Sequence, residues 1–247
     1  MQTERPIEAT TLLRDIVRDH PGATRVLDAH RLDWCCGARR TLAEGCASAG
    51  AKLDDVLHEL EAQPSRSEPA EPLTALEHAP LAEVVRFLVE HHHAFSRSEG
   101  ARLPALATKV ARRHGAAHGE LAAVEELVHG LFGELDPHLA REERVLFPYI
   151  VALEHSVLAE SPPPRAPFRA LVGPIGVMTG EHEAAGRLLD ELARTTRDFH
   201  APAEACGSWL ALYDGLRAHD ADLRRHVWIE NEILFPRAIE LEQRTAR

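Results

Sequence analysis

Apolar positions recur along this chain at three- and four-residue spacing, and no stretch alternates in the two-residue period of a half-buried strand. The pattern predicts an all-α fold. Over residues 1–61 the helical pieces are short. Thr11 is read as the N-cap of a helix through Leu13, Ile16 and Val17 that Pro21-Gly22 ends. A second helix is expected from Thr24 to His30, then a turn carrying Asp33-Trp34-Cys35-Cys36-Gly37, then helices from Thr41 to Ala49 and Lys52 to Leu60. Residues 62–79 carry three prolines and little periodicity, and read as a linker. From Pro80 onward the pattern gives four long helices at about 80–112, 119–153, 174–198 and 204–242, with Ser161-Pro162-Pro163-Pro164-Arg165-Ala166-Pro167 as a loop. Long helices with short connections predict an antiparallel four-helix bundle over 80–247, and Pro104 predicts a kink or break in its first helix.

Two segments of the bundle repeat each other. His138 to Pro148 and His226 to Pro236 both read H-x-x-x-E-x-x-x-L-F-P. Histidine and glutamate at i and i+4 share a helix face. A single such pair is weak, and an exposed polar stripe explains it as well. Two copies with the same apolar sequel point to an inward face, where buried His and Glu need partners that a metal supplies. Hairpin symmetry then finds the other two helices' contribution. His93 and His138 are 138 − 93 = 45 residues apart, with their midpoint in His114-Gly115-Ala116-Ala117-His118-Gly119. His182 and His226 are 226 − 182 = 44 apart, with their midpoint beside Ala201-Pro202-Ala203. Residues equidistant from a hairpin tip lie side by side, so His93 is expected to face His138/Glu142, and His182 to face His226/Glu230. Four histidines with Glu142 and Glu230 as bridges suit a pair of metal ions. Iron or manganese fits the mixed N/O set better than zinc, which favours four-coordination.

Other histidines are weighed against that set. Of the run His91-His92-His93, at most one is expected to point inward, and hairpin register prefers His93. His114 joins only if Pro104 folds the first helix back. His118, His129, His155, His200 and His219 read as surface or tip residues, and Glu134 and Glu181 as solvated or flanking the site. Cys46 and Cys206 read as small core residues, and Trp34 as a packing anchor.

Composition narrows the setting. The 247 residues include 28 Lys and Arg against 39 Asp and Glu, a net charge of −11, which argues against nucleic acid as the main partner. No apolar run approaches the roughly 20 residues that span a bilayer. The first residues, MQTERPIEAT, do not read as a signal peptide, and four cysteines at 35, 36, 46 and 206 do not make a disulfide framework, so a cytoplasmic location is expected. Cys35 and Cys36 are adjacent, which strains any disulfide between them. Arg39 and Arg40 nearby could lower a thiolate pKa and make the pair reactive.

The chain resembles the RIC ("repair of iron centres") family, which joins a small cysteine-bearing domain to a hemerythrin-like di-iron domain. The resemblance rests on Leu32-Asp33-Trp34-Cys35-Cys36-Gly37, Pro80-Leu81-Ala82-Glu83, Lys109-Val110 with His114, and Gly173-Pro174-Ile175 with Val177-Met178. It continues through Glu181-His182, Ala203-Glu204-Ala205-Cys206, and Glu230-Asn231 with Leu234-Phe235-Pro236-Arg237. By this resemblance the iron-binding histidines fall on His93, His138, His182 and His226, the bridging glutamates on Glu142 and Glu230, and an oxo or hydroxo bridge between two irons is compatible. Departures are Ala38, where the family usually has a second glycine, a Leu-Pro displaced to Leu103-Pro104, and a longer segment 154–170.

What the resemblance implies is a protein that helps restore iron-sulfur clusters damaged by nitric oxide or oxidants by donating iron, with Cys35 and Cys36 handing over electrons or holding iron in transit. Its partners would be damaged or apo iron-sulfur proteins, and a homodimer is left open. Two other readings belong to different classes: an enzyme that reduces NO to N2O at the di-iron site, and a module that binds or senses O2. The donor reading is not one of a turnover enzyme.

Overall fold

The computed structural model describes residues 6–20, 23–62 and 73–245. Among these the only β pairing is one isolated bridge, Leu12 with Thr41, and everything else regular is helical. No helix of the described residues is long and apolar enough to cross a membrane. The chain divides into two compact units, one of residues up to Ala79 with Val227–Pro236 and one of Pro80–His226 with residues from Arg237.

The N-terminal unit contains α1 (Leu13–Asp19), α2 (Ala23–Ala29), α3 (Leu42–Ala49), α4 (Leu53–Ala62) and α5 (Leu73–His78). Leu13, Ile16, Leu27, Leu42 and Val56 are fully buried and build its core, with Trp34 against them. Trp34 anchors there by packing and by donating its indole N–H to Asp28 at 2.7 Å. Thr41 caps α3 reciprocally with Glu44: Glu44 N–H donates to Thr41 Oγ1 at 3.2 Å, and Thr41 N–H to Glu44 Oε2 at 2.8 Å. Two expectations change here. The N-cap of α1 is Leu12, because Thr11 turns its hydroxyl back to accept from Glu8 N–H at 2.8 Å. The stretch read as linker contains α5, held by buried Leu73 and Leu76; residues 63–72 of that linker, like Pro21-Gly22, lie outside the described residues.

From Pro80 the chain runs as four long rods. The first joins α6 (Leu81–Phe87), a π-helical turn (Leu88–His93) and α7 (Ala94–His114). The second joins α8 (Glu120–Arg141), a π-helical turn (Glu142–Leu146) and α9 (Phe147–Leu158). The third is α10 (Val172–Thr195). The fourth joins α11 (Gly207–Ile229), a π-helical turn (Glu230–Leu234) and α12 (Phe235–Thr245). α7 runs unbroken through Pro104, because buried Leu103, Ala107 and Val110 hold it on its neighbours across that point. The two later π turns have a readable cause. Pro148 and Pro236 have no N–H to give the carbonyl four residues back, and the wider turn absorbs the missing bond. The repeat also reaches further than L-F-P. Sixteen residues beyond each histidine stands a glutamate (138 + 16 = 154; 226 + 16 = 242). Glu154 accepts from Leu81 and Ala82 N–H at 2.6 and 2.9 Å, and Glu242 accepts from Leu171 N–H at 2.9 Å, so each satisfies the start of another rod.

Candidate metal centre

Each π turn begins or ends on a residue of the candidate set: the first ends at His93, the second starts at Glu142, and the third at Glu230. A π turn shifts the helix face by a fraction of a turn, so these side chains are aimed inward where a regular helix would slide them past one another. His93, Glu142, His226 and Glu230 are fully buried, and His138 and His182 are 4% and 3% exposed. The donor atoms form two groups. His93, Glu142, His226 and Glu230 bring one donor atom each to within 4.8 Å of one another, and His138, Glu142, His182 and Glu230 do the same. Both carboxylates belong to both groups.

The pairing of imidazoles differs from the hairpin expectation. His93 Nε2 lies 3.2 Å from His226 Nε2, and His182 Nε2 lies 3.2 Å from His138 Nε2. Thus the first rod pairs with the fourth and the second with the third. Within the hairpins it is the glutamate that meets the histidine: Glu142 Oε2 is 3.5 Å from His93 Nε2, and Glu142 Oε1 is 3.4 Å from His138 Nε2. Four imidazole nitrogens and two carboxylates, buried and turned toward each other, suit a cation-binding site that uses nitrogen and oxygen donors.

A surrounding layer fixes two of the rings. His93 Nδ1 donates to Glu143 Oε1 at 2.7 Å, and Arg97 donates to the same oxygen at 2.6 Å. His138 Nδ1 donates to Glu181 Oε2 at 2.7 Å, and Arg141 donates to both Glu181 oxygens at 2.6 Å. A carboxylate that holds the Nδ1 proton leaves Nε2 with its lone pair toward the centre. Burial works to raise the pKa of Glu143 and Glu181, but the hydrogen bonds from histidine and arginine outweigh it, so both sit below the usual glutamate value. Sequence reasoning missed Glu143, whose signal was its place directly after the repeat's Glu142; Glu181, read as solvated or flanking the site, lies against His138.

Three further readings are corrected. His92 and His93 are both buried, while His91 is exposed. The reason is that a neighbour covers each of two helix faces: His93 meets the centre, and His92 Nδ1 lies 2.9 Å from Asp222 Oδ1 on α11. His219, read as a surface residue, is fully buried between Phe95 and Phe132 at ring-centroid distances of 6.2 and 4.7 Å. His114 stays outside both donor groups, since α7 does not fold back; its Nε2 lies 3.2 Å from the Sγ of Cys206, which is exposed rather than a core residue.

In the N-terminal unit, Cys35 is buried and Cys36 half-buried, their Sγ atoms 3.8 Å apart with no disulfide between them. Asp33 joins them: its Oδ1 accepts from Cys36 N–H at 2.9 Å and lies 3.4 Å from Cys35 Sγ, so that carboxylate and both sulfurs fall within 4.8 Å. Gly37 is required, because a Cβ there would stand 2.5 Å from the carbonyl oxygen of Asp33. Ala38 needs no glycine: its φ is not positive, it is buried, and its carbonyl accepts from Arg14 N–H at 2.9 Å.

Comparison with known proteins gives two family matches. The Hemerythrin HHE cation binding domain matches residues 83–238, and the Domain of Unknown function DUF542 (ScdA_N) matches residues 10–63. Among curated relatives, the "Iron-sulfur cluster repair protein YtfE" of Cronobacter sakazakii is 34% identical over 227 residues, covering 90% of this chain and 93% of the relative. The protein of the same name from Escherichia coli O81 is 33% identical, covering 92% and 96%.

Proposed function

Because the chain belongs to the iron-sulfur cluster repair (RIC) family, with a hemerythrin-like domain, we propose that it holds two iron ions and donates iron to damaged or apo iron-sulfur proteins. The observation that carries this reading is the sharing of Glu142 and Glu230 by two adjacent donor groups, which suits two ions bridged by carboxylates. An oxo or hydroxo bridge is compatible with the pair. Two ions held there would supply reactive, exchangeable iron. A thiolate-free donor set binds iron less tenaciously than a sulfur cage, which favours release.

The chain's own groups divide the work. His93, His138, His182 and His226 orient nitrogen donors, and Glu142 and Glu230 span the two positions. Glu143 and Glu181 hold the Nδ1 protons of His93 and His138, and their arginines keep those carboxylates ionised. Burial places all six donor side chains off the protein surface. Cys35 and Cys36, with Asp33 beside them, are the soft end of the route: they take iron in transit or supply electrons, from an N-terminal unit that precedes the bundle at 80–247. The protein works in the cytoplasm on this reading. Transfer to an apo-ferredoxin tests it: Glu142→Leu and the Cys35→Ser/Cys36→Ser double variant are expected to lose repair, and wild-type repair by both would refute the proposal.

One observation favours a second reading. Two ion positions side by side, and two thiols 3.8 Å apart, suit the coupling of two NO molecules with two electrons and two protons to N2O and water, the thiols being oxidised. With a dithiol reductant added to re-reduce the cysteines, sustained N2O formation over many equivalents of NO would support it, and a stoichiometric nitrosyl dead end would count against it.

A further inference from the structure

Beside the metal centre, along the seam of the first and fourth rods, runs a second set of buried polar groups that the centre does not use. His92, Ser96 and Glu99 stand at i, i+4 and i+7 on one face, opposite Asp222 and His219. His92, Ser96, Glu99 and His219 are 3%, 2%, 7% and 0% exposed. Five atoms of this file are buried with no protein hydrogen-bond partner: His92 Nε2, Ser96 Oγ, Asp222 Oδ2, and both Nδ1 and Nε2 of His219. Leaving five such atoms dry would rival the whole stability of a domain. The file begins at the centre, where the His92 ring stacks on that of His226 with centroids 5.6 Å apart. It ends at solvent, where the half-exposed Arg102 clasps Glu99 at 3.1 and 2.5 Å. Gly215 keeps that end narrow and in place, since a Cβ there would overlap the Arg102 guanidinium.

We infer that His92, Ser96, His219 and Asp222 line an internal water-binding conduit, opening at Glu99 and Arg102, through which water and protons reach one side of the metal centre. Water is the occupant that fits. Each orphan atom can take one hydrogen bond from or to it, and buried waters characteristically bridge such groups. Phe95 and Phe132 flank His219 and wall the file laterally. The inference concerns solvent access and holds whichever chemistry the centre performs.

The test is a high-resolution crystal structure of the metal-loaded protein, with iron release to a ferrous chelator as its kinetic arm. Ordered waters are expected within hydrogen-bond distance of His219, Ser96 and Asp222. His219→Phe fills the file, and is expected to displace those waters and slow iron release at least tenfold at unchanged initial iron content. His219→Gln keeps a polar group there and is expected to release iron near the wild-type rate. A dry file in the wild-type crystal, or a His219→Phe variant that releases iron at the wild-type rate, overturns the inference. If His219→Phe does not fold, the wild-type crystal decides.

Discussion

Removing the Glu143 carboxylate should loosen one ion position and spare the other. Glu143 touches only His93 of the candidate ligands, at 2.7 Å through Nδ1, and His93 belongs only to the group with Glu142, His226 and Glu230. Groups that hold a ligand histidine by its far nitrogen are typically worth about 10–100-fold in metal affinity, or roughly 1.4–2.7 kcal/mol. The Glu143 side chain is 25% exposed, so water can take over part of its role, and the lower end, about tenfold, is expected for Glu143→Ala. Glu143→Gln keeps an acceptor oxygen and should lose less. Glu181, 37% exposed and bound to His138, should give a smaller loss at the other position, and the two losses should combine without coupling. Chelator competition on anaerobic protein, with the two irons resolved by Mössbauer spectroscopy, measures this. Equal weakening of both ions by Glu143→Ala, or a change below about twofold, would contradict a hold through His93 alone.

Three other outcomes follow from packing and charge. Burial lowers the pKa of His219 to about 4, against the pull of Asp222 and Glu99. The unfolded chain therefore holds more protons between about pH 6.5 and 4. The metal-free protein should lose stability as pH falls through that window, by up to about 3 kcal/mol, and His219→Phe should flatten this slope in urea titrations. Gly215→Ala gains about 1 kcal/mol of helix propensity, but its Cβ would stand 2.6 Å from the fully buried Leu103 Cδ2. Overpacking of about 1–3 kcal/mol should win, giving a lower urea midpoint. Thr41→Ala removes the capping box of α3 and should destabilise the N-terminal unit by about 1 kcal/mol, seen as a lower Tm.

The rods and their shared polar layer were legible because the chemistry was written twice. The H-x-x-x-E-x-x-x-L-F-P repeat marked two rods, and hairpin midpoints found His93 and His182 on the others. What the arithmetic could not give was which imidazoles touch, since pairing across rods depends on the order of helices around the bundle. The two later π turns were readable in principle from the prolines of L-F-P, which deny the ladder an N–H. The burial of His92 and His219 was not: both depend on what a neighbouring rod presents, Asp222 in one case and two phenylalanines in the other. The break allowed for at Pro104 does not occur, because buried side chains on either side of it hold the helix on its neighbours. Thr11 misled because a hydroxyl can turn back to its own loop as readily as forward to a helix.

Iron analysis with Mössbauer spectroscopy on protein purified without oxygen tests whether two irons share the two carboxylates. Two irons per chain, magnetically coupled and reduced to fewer on Glu142→Leu or Glu230→Leu, is the predicted result. A single uncoupled ion, or no iron taken up by folded protein, would contradict it.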